Sequence, residues 1–355
     1  MRIILIILIA ITSFSCLSQT KSKIIKEYHP NGKLSFQYEM LNGLRHGITK
    51  AYDEKGKLTN KWNYNKDVLH GISIEYLEDG TSREVIFKNG NGISYRMYYS
   101  NNQISEEGNY KNNLIEGTST RYYESGQLKA KVTYSKNVLH GKTTIYNLDG
   151  SINKIWNFYN GVVDGDTYEF FSDSTYCVWN YSKGALSGGR TFDSKKNRIL
   201  YYVPYKNLKK EGKGYSYDST GEVLAEFIYE QDTIKKSCQY YESGKLWIEH
   251  SYQNEIIHGI SIEYYQDGSV MHRWNYAKGK KEGVSTKFFI TGEVSVEWYY
   301  ENDKLEGLTK QYFKDGTIEF KIYYKNDLNH GELIRYDKSG KIRYTYHYLN
   351  GVIQN

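Results

Sequence analysis

Glycine returns along this chain at an interval that leaves little choice of architecture. It occupies positions 32, 56, 80, 126, 150, 221, 244, 268, 292, 316 and 340, in steps of 24 or 23 residues or close to multiples of them. The two larger gaps contain degenerate copies, with Asn102 and Ser174 in the glycine slot and an irregular copy near Asn197. A second series precedes the first by nine residues and follows a His or an acid, as in His70-Gly71, Glu116-Gly117, His140-Gly141, Asp164-Gly165 and His330-Gly331. Seventeen residues after these glycines comes an aromatic: Tyr64, Tyr134, Phe158, Tyr229, Tyr276, Tyr300, Tyr324 and Tyr348. Self-similarity at a fixed period of this length is the signature of stacked repeats, each one supersecondary unit.

Between the markers the pattern has period two. Val294, Val296, Trp298 and Tyr300 alternate with polar or secondary positions, and Ile260, Ile262 and Tyr264 do so in the preceding segment. That is the pattern of half-buried strands. Asp79-Gly80, Asp149-Gly150, Asp267-Gly268 and Asp315-Gly316 suit a turn at one end of each hairpin, because glycine takes positive φ without steric cost. Asn42-Gly43, Asn89-Gly90, Asn160-Gly161 and Asn350-Gly351 suit two-residue turns at the other. Tight turns at both ends predict an all-β chain: an elongated antiparallel up-and-down meander of about fourteen β-hairpin repeats, forming a single-layer, solenoid-like sheet. The turn glycines Gly56, Gly80, Gly126, Gly150, Gly268, Gly292, Gly316 and Gly340 are its structural positions. Composition agrees, since 38 Tyr and only 2 Pro describe a protein that buries aromatic bodies while much polar surface stays wet.

The first residues carry a separate message. Met1-Arg2 followed by the apolar run from Ile3 to Ile11 reads as a signal peptide over residues 1–18. The run is short of the ~20 residues that span a bilayer as a helix. Two processing outcomes are open. Ser13-Phe14-Ser15-Cys16 is similar to a lipoprotein signal (residues 1–15) with Cys16 as lipid anchor, and Cys16-Leu17-Ser18 offers small residues for ordinary cleavage before Gln19. The chain is thus expected to be exported, to the periplasm, outer membrane or cell surface. The remaining cysteines, Cys177 and Cys238, fall about five strands apart, near 24 Å at ~4.8 Å per strand, too far for a disulfide.

The unit running from Tyr110 to Leu128, Tyr-x-x-(Asn/Gly)-x-x-(His/Glu)-Gly-x-x-x-x-Tyr-x-x-x-Gly-x-Leu, resembles the MORN repeat, and more closely the bacterial variant found in YwqK-type proteins carrying an antitoxin label. The resemblance covers about residues 28 to 351. Unlike the eukaryotic repeat, this sequence has no further Gly two residues after His-Gly. The resemblance implies a β-sheet used as an interaction platform. For the bacterial branch it implies a toxic protein as partner, which the export signal turns toward an immunity or surface-scaffold role.

Candidate chemistry was weighed residue by residue. Equivalent His residues of successive units lie two strands, roughly 9 to 10 Å, apart, whereas zinc ligands converge to ~2.0 to 2.1 Å from one ion, so the His-Gly pairs read as structural and no metal is expected. Trp62, Trp156, Trp179, Trp274 and Trp298 share one strand position, suited either to stacking on sugars or peptides or to cross-strand packing; sharing a face with the aliphatic positions favours packing. The acids Glu116, Asp164, Glu211, Glu282 and Glu306 alternate with His in one slot, as a turn position would, and nothing marks a cleft for a catalytic pair. Phosphate-binding, dinucleotide and nucleophile motifs are missing, so the reading is a non-enzyme with no cofactor.

Residues 182–214 depart from the repeat and include Pro204. A bend or widened loop is expected there, dividing the array into arms at 24–181 and 215–355. Nine basic residues against two acids give this segment +7, while the whole chain carries only +6, too little to imply a general attraction to nucleic acid. Lys195, Lys196, Arg198, Lys206, Lys209 and Lys210 are the candidate partner-binding residues, docking an acidic surface or anionic head groups. The functional expectation is an exported scaffold binding a protein partner, in one form a toxin, with membrane association through the lipid anchor. The rival is a carbohydrate- or lipid-surface-binding module.

Overall fold

A computed structural model describes residues 22–172 and 174–354. The signal peptide and Cys16 lie outside the described residues. Every regular element among the described residues is a β-strand, and the chain divides into two compact units, residues 1–151 and 152–355. Within each unit the strands pair antiparallel with their neighbours in sequence, as an open up-and-down ladder. In the first unit, for example, Leu34–Leu41 pairs with Leu44–Arg45 and Gly47–Tyr52, which pairs with Leu58–Asn65, which pairs with Val68–Leu69 and Gly71–Tyr76. In the second, Gly259–Tyr264, Val270–Ala277, Lys280–Lys281, Gly283–Phe288 and Val294–Glu301 follow the same scheme.

A typical repeat is one eight-residue strand, a two-residue turn, a two-residue strand, one break residue, and a six-residue strand that opens on the second-series glycine. Those glycines have positive φ, +87° at Gly71 and +77° at Gly283, which lets the chain re-enter the ladder after the break. Near the far end of the six-residue strand the register slips by one residue, between Ala51/Tyr52 and again between Lys287/Phe288, a bulge that recurs through both units. The loop beyond is closed by paired amides, such as Tyr265 N to Ser269 O at 2.8 Å and Gly268 N to Tyr265 O at 2.9 Å.

At the two-residue turns both φ values are positive, as in Asn42 (+53°) and Gly43 (+84°). Other hairpins do this without glycine, as at Lys66 (+52°) and Asp67 (+63°), or Asn302 (+51°) and Asp303 (+71°). The side chain offsets the strain: Asp67 Oδ1 accepts the Arg45 amide at 2.7 Å and Asp303 Oδ1 the Lys281 amide at 2.6 Å, each reaching the preceding hairpin.

The core is a column of small side chains. Ser119, Ser261 and Ser285 are 0 % exposed, and Thr49, Ser73, Thr167 and Thr309 are also buried. Each is the third residue of a six-residue strand, and its cross-strand partner is a ring in several copies, as Thr49 faces Trp62, Ser261 faces Trp274 and Ser285 faces Trp298, whereas Ser73 faces the smaller Val85. A thin sheet has no second layer to cover it, so broad rings on the eight-residue strands lie over the small residues between them. At Gly189 the fit is tight enough that an added Cβ would stand 2.6 Å from the Trp179 ring.

The segment from 182 to 214 is laddered rather than opened into a loop. Ala185–Asp193 and Arg198–Lys206 pair antiparallel with one register slip between Thr191 and Phe192, joined by a short turn. Pro204 is tolerated because it falls opposite the repeat's break: its carbonyl accepts the Glu211 amide at 3.2 Å, while the equivalent Asn275 sends its own N–H to the Ser285 hydroxyl, outside the backbone ladder. Neither remaining cysteine forms a disulfide, and both Cys177 and Cys238 are buried.

Candidate binding surface

The slot that holds His or an acid is a structural acceptor. Glu116, Glu211, Glu282 and Glu306 each accept, through Oε2, the backbone N–H of the first turn residue of the next hairpin, at 2.8 to 2.9 Å. Asp164 does the same for Lys183 at 3.1 Å, and His258 Nδ1 for Lys278 at 3.3 Å. The imidazoles are less uniform than the acids: His330 Nδ1 lies 3.2 Å from Asn350 Oδ1, and His46 Nδ1 is buried without a hydrogen-bond partner among the described residues. At the opposite end Tyr99, Tyr123, Tyr241 and Tyr265 donate their hydroxyls to carbonyls 23 residues onward, at 2.7 to 2.9 Å. Both ends of the hairpins are therefore clasped to their neighbours.

All eight predicted turn glycines have positive φ, from +82° at Gly340 to +99° at Gly292. Asn102 (+64°), Ser174 (+66°) and Asn197 (+49°) adopt it in the degenerate copies. Beside these loops Asp79, Asp149, Asp267 and Asp315 take a hydroxyl and an amide from the residue two positions on, which holds their carboxyls below the usual range.

On the small-residue face of the second unit the aromatic row is packed on itself. Trp274 and Trp298 stack at 5.7 Å with 13° between planes, and His272 stacks on Trp274 at 4.8 Å. Lys281 Nζ lies 3.7 Å from the centre of the Trp274 ring and 5.2 Å from that of Tyr300. Burial pulls the Lys281 ammonium and the His272 imidazole below their ordinary pKa values, even though Glu263 Oε2 sits 2.9 Å from His272 Nδ1. In this cluster the indoles serve cross-strand packing.

The opposite face of the same strands is different. Ile260 (47 % exposed), Val284 (50 %), Tyr299 (41 %) and Tyr323 (43 %) stand in solvent there, with Val284 and Tyr299 directly paired. Tyr299 and Tyr323 occupy the position where other repeats carry Asn157, Thr133 or Asn275, whose side chains donate to a backbone carbonyl of the next strand. Two tyrosines thus replace residues that close the ladder, and they add apolar surface. Sequence reasoning missed this row, although the substitution of Tyr for Asn in register is its signal.

The basic candidates do not form one zone. Lys195, Lys196 and Arg198 sit at one end of the strand Arg198–Lys206, and Lys206, Lys209 and Lys210 at the other. Eight steps of extended chain at about 3.3 Å separate the groups by ~26 Å. Two of them also have a local partner: Arg198 Nε lies 3.7 Å from Asp193, and Lys210 Nζ lies 5.6 Å from the Tyr229 ring centre.

Comparison with known proteins agrees with this geometry. The model described as "MORN repeat variant" matches residues 23–42, 45–66, 93–112, 115–136, 235–254, 257–278, 305–326 and 329–350. No curated protein matches. Among solved structures, part of the chain is similar to "Crystal structure of GtfA/B complex bound to UDP and GlcNAc", at 15% identity and a TM-score of 0.12, over 41% of this chain and 25% of that one. Another is "Crystal Structure of TcdB2-TccC3-TEV", at 12% identity and a TM-score of 0.15, over 93% of this chain and 21% of that one. The chain spans about a quarter or less of those structures, and neither likeness carries an argument about activity. Each matched segment spans one strand, the loop after it and the following long strand, in both units, and the chain belongs to the MORN repeat variant family.

Proposed function

We propose that this chain is an exported repeat scaffold that binds a protein partner at the bacterial cell envelope, with antitoxin or immunity activity as one specific form. The observation behind this reading is the row Ile260, Val284, Tyr299 and Tyr323, which stands in solvent on one face of its unit among the described residues. Contiguous apolar patches on a well-ordered surface mark interaction sites, and Tyr is enriched where such sites have an apolar body and a wet tip. Export rests on the apolar run Ile3 to Ile11, and membrane attachment on Cys16.

Affinity capture from native envelope with the mature chain tests the proposal. One stoichiometric protein should be retained by the natural sequence and lost with Val284→Lys and Tyr299→Lys. Retention of glycan or lipid without protein would favour the surface-binding module instead. Cys16→Ser should release the protein from membranes and abolish lipid labelling; unchanged mass and fractionation would remove the anchor from the account.

A further inference from the structure

The repeat register exposes one position where a side chain is missing from a regular series. In each hairpin the penultimate residue of the long strand, an aromatic in most copies, faces one residue across the turn. In the first unit these pairs are Met40 with Arg45, Tyr64 with Leu69, Phe87 with Gly92, Tyr110 with Ile115 and Tyr134 with Leu139. In the second unit Phe158 faces Val163, Tyr252 faces Ile257 and Tyr300 faces Leu305. At Gly92 alone among these pairs the ring has nothing across from it.

The backbone there cannot collapse to fill the gap. The turn Asn89–Gly90 sets the register, and the Gly92 amide is held by Asn113 Oδ1 at 2.8 Å. The flanking ring position is thinned as well, because Val85 stands across from Ser73 where Trp62 stands across from Thr49. The result is a cavity of about 340 Å³ walled by Val85, Phe87, Tyr110 and Ile115. Its volume falls within the range of small-ligand pockets, ~300 to 1,000 Å³.

The polar lining is cationic and amide. Arg83 Nη2 donates to Tyr110 Oη at 2.6 Å, and the side chains of Asn113 and Asn137 complete the rim. Glu75 is the register partner of Arg83, yet among the described residues no carboxylate reaches ion-pair distance of its guanidinium. An apolar cup beside a guanidinium without an ion-pair partner has the recognition chemistry of an amphipathic anion. The apolar body fills the space a Leu or Ile takes in neighbouring repeats, and the head group takes charge-assisted hydrogen bonds.

We propose that the cavity at Gly92 binds a small carboxylate carrying a compact apolar tail, aromatic or branched. This site is separate from the Val284 and Tyr299 row and stands or falls without it.

Phenylacetate and its neutral analogue phenylacetamide are the probes, titrated into the full chain while the methyl resonances of Val85 and Ile115 are followed. Phenylacetate should shift both saturably, with a Kd on the order of 1 mM and about tenfold tighter than the amide. Arg83→Gln should erase the preference for the acid while weak binding of the amide persists. Gly92→Leu should abolish binding with the strand signature intact. The Gly92 backbone accepts an L residue, and the new Cβ would meet Tyr110 Cδ2 at 3.3 Å and Val85 Cγ1 at 3.5 Å. If Leu proves too large to fold, Gly92→Ala should still weaken binding several-fold. Absence of saturable shifts, shifts equal for acid and amide, or binding indifferent to both Gly92 variants would each overturn the proposal.

Discussion

Ser285 and Val284 are adjacent, yet they predict opposite responses to one substitution. Ser285 is 0 % exposed, directly across from Trp298, whose ring stacks on Trp274 at 5.7 Å. Ser285→Leu forces two further heavy atoms beneath that stack. Overpacking of a filled site costs about 1 to 3 kcal/mol, and losing the aromatic pair adds roughly 0.5 to 1.5, so the expected loss is ~1.5 to 4.5 kcal/mol. Val284 is 50 % exposed on the other face, where Val284→Leu should stay within about ±0.5 kcal/mol. Native-state hydrogen exchange of the full chain is the assay, because repeat arrays need not unfold in one step. Amides of Gly283–Phe288 and Val294–Glu301 should lose protection in the first variant and keep it in the second. Equal effects, or a mild effect at Ser285, would refute the claim that small residues under rings form the core.

Three further outcomes follow from the same geometry. Glu306→Ala removes the acceptor of the Asn326 amide, held at 2.9 Å, and should cost about 0.5 to 1.5 kcal/mol in local exchange, whereas Glu306→Gln and Glu306→His should cost less. Gly268→Val places a β-branched residue at φ +95° with no atom within 4 Å of its Cβ, so the cost, roughly 1 to 3 kcal/mol, is backbone strain alone and loss of protection should stay in the flanking hairpins. His250 and His272 have pKa values lowered by burial, so the unfolded chain binds protons first as pH falls. The stability they supply is full above ~6.5 and disappears as pH drops through the folded values, and the urea midpoint should decline from pH 7 to 5 and less so in His250→Gln.

The glycine and aromatic periods made the strands, turns and near-fourteenfold repeat legible, because turn chemistry and alternation are local properties. The buried column was not legible. Ser261 and Ser285 rank as polar in any hydropathy reading, and only the register that sets them beneath Trp274 and Trp298 makes them core. The His and acid slot was recognised as a turn position, but its bond runs to an amide about 20 residues on, a distance that only pairing reveals. The spacing of the basic run was illegible for the converse reason: Lys196 and Lys206 are close in sequence, yet an extended strand carries them to opposite ends of the ladder.

Site-specific photo-crosslinking in intact cells tests the scaffold reading most directly. A photoreactive residue at position 284, 299 or 323 should give one discrete adduct with the same partner protein, and one at position 72 or 159, exposed in other repeats, should give none. No adduct from the row, or the same adducts from every position, would contradict a protein-binding face on this sheet.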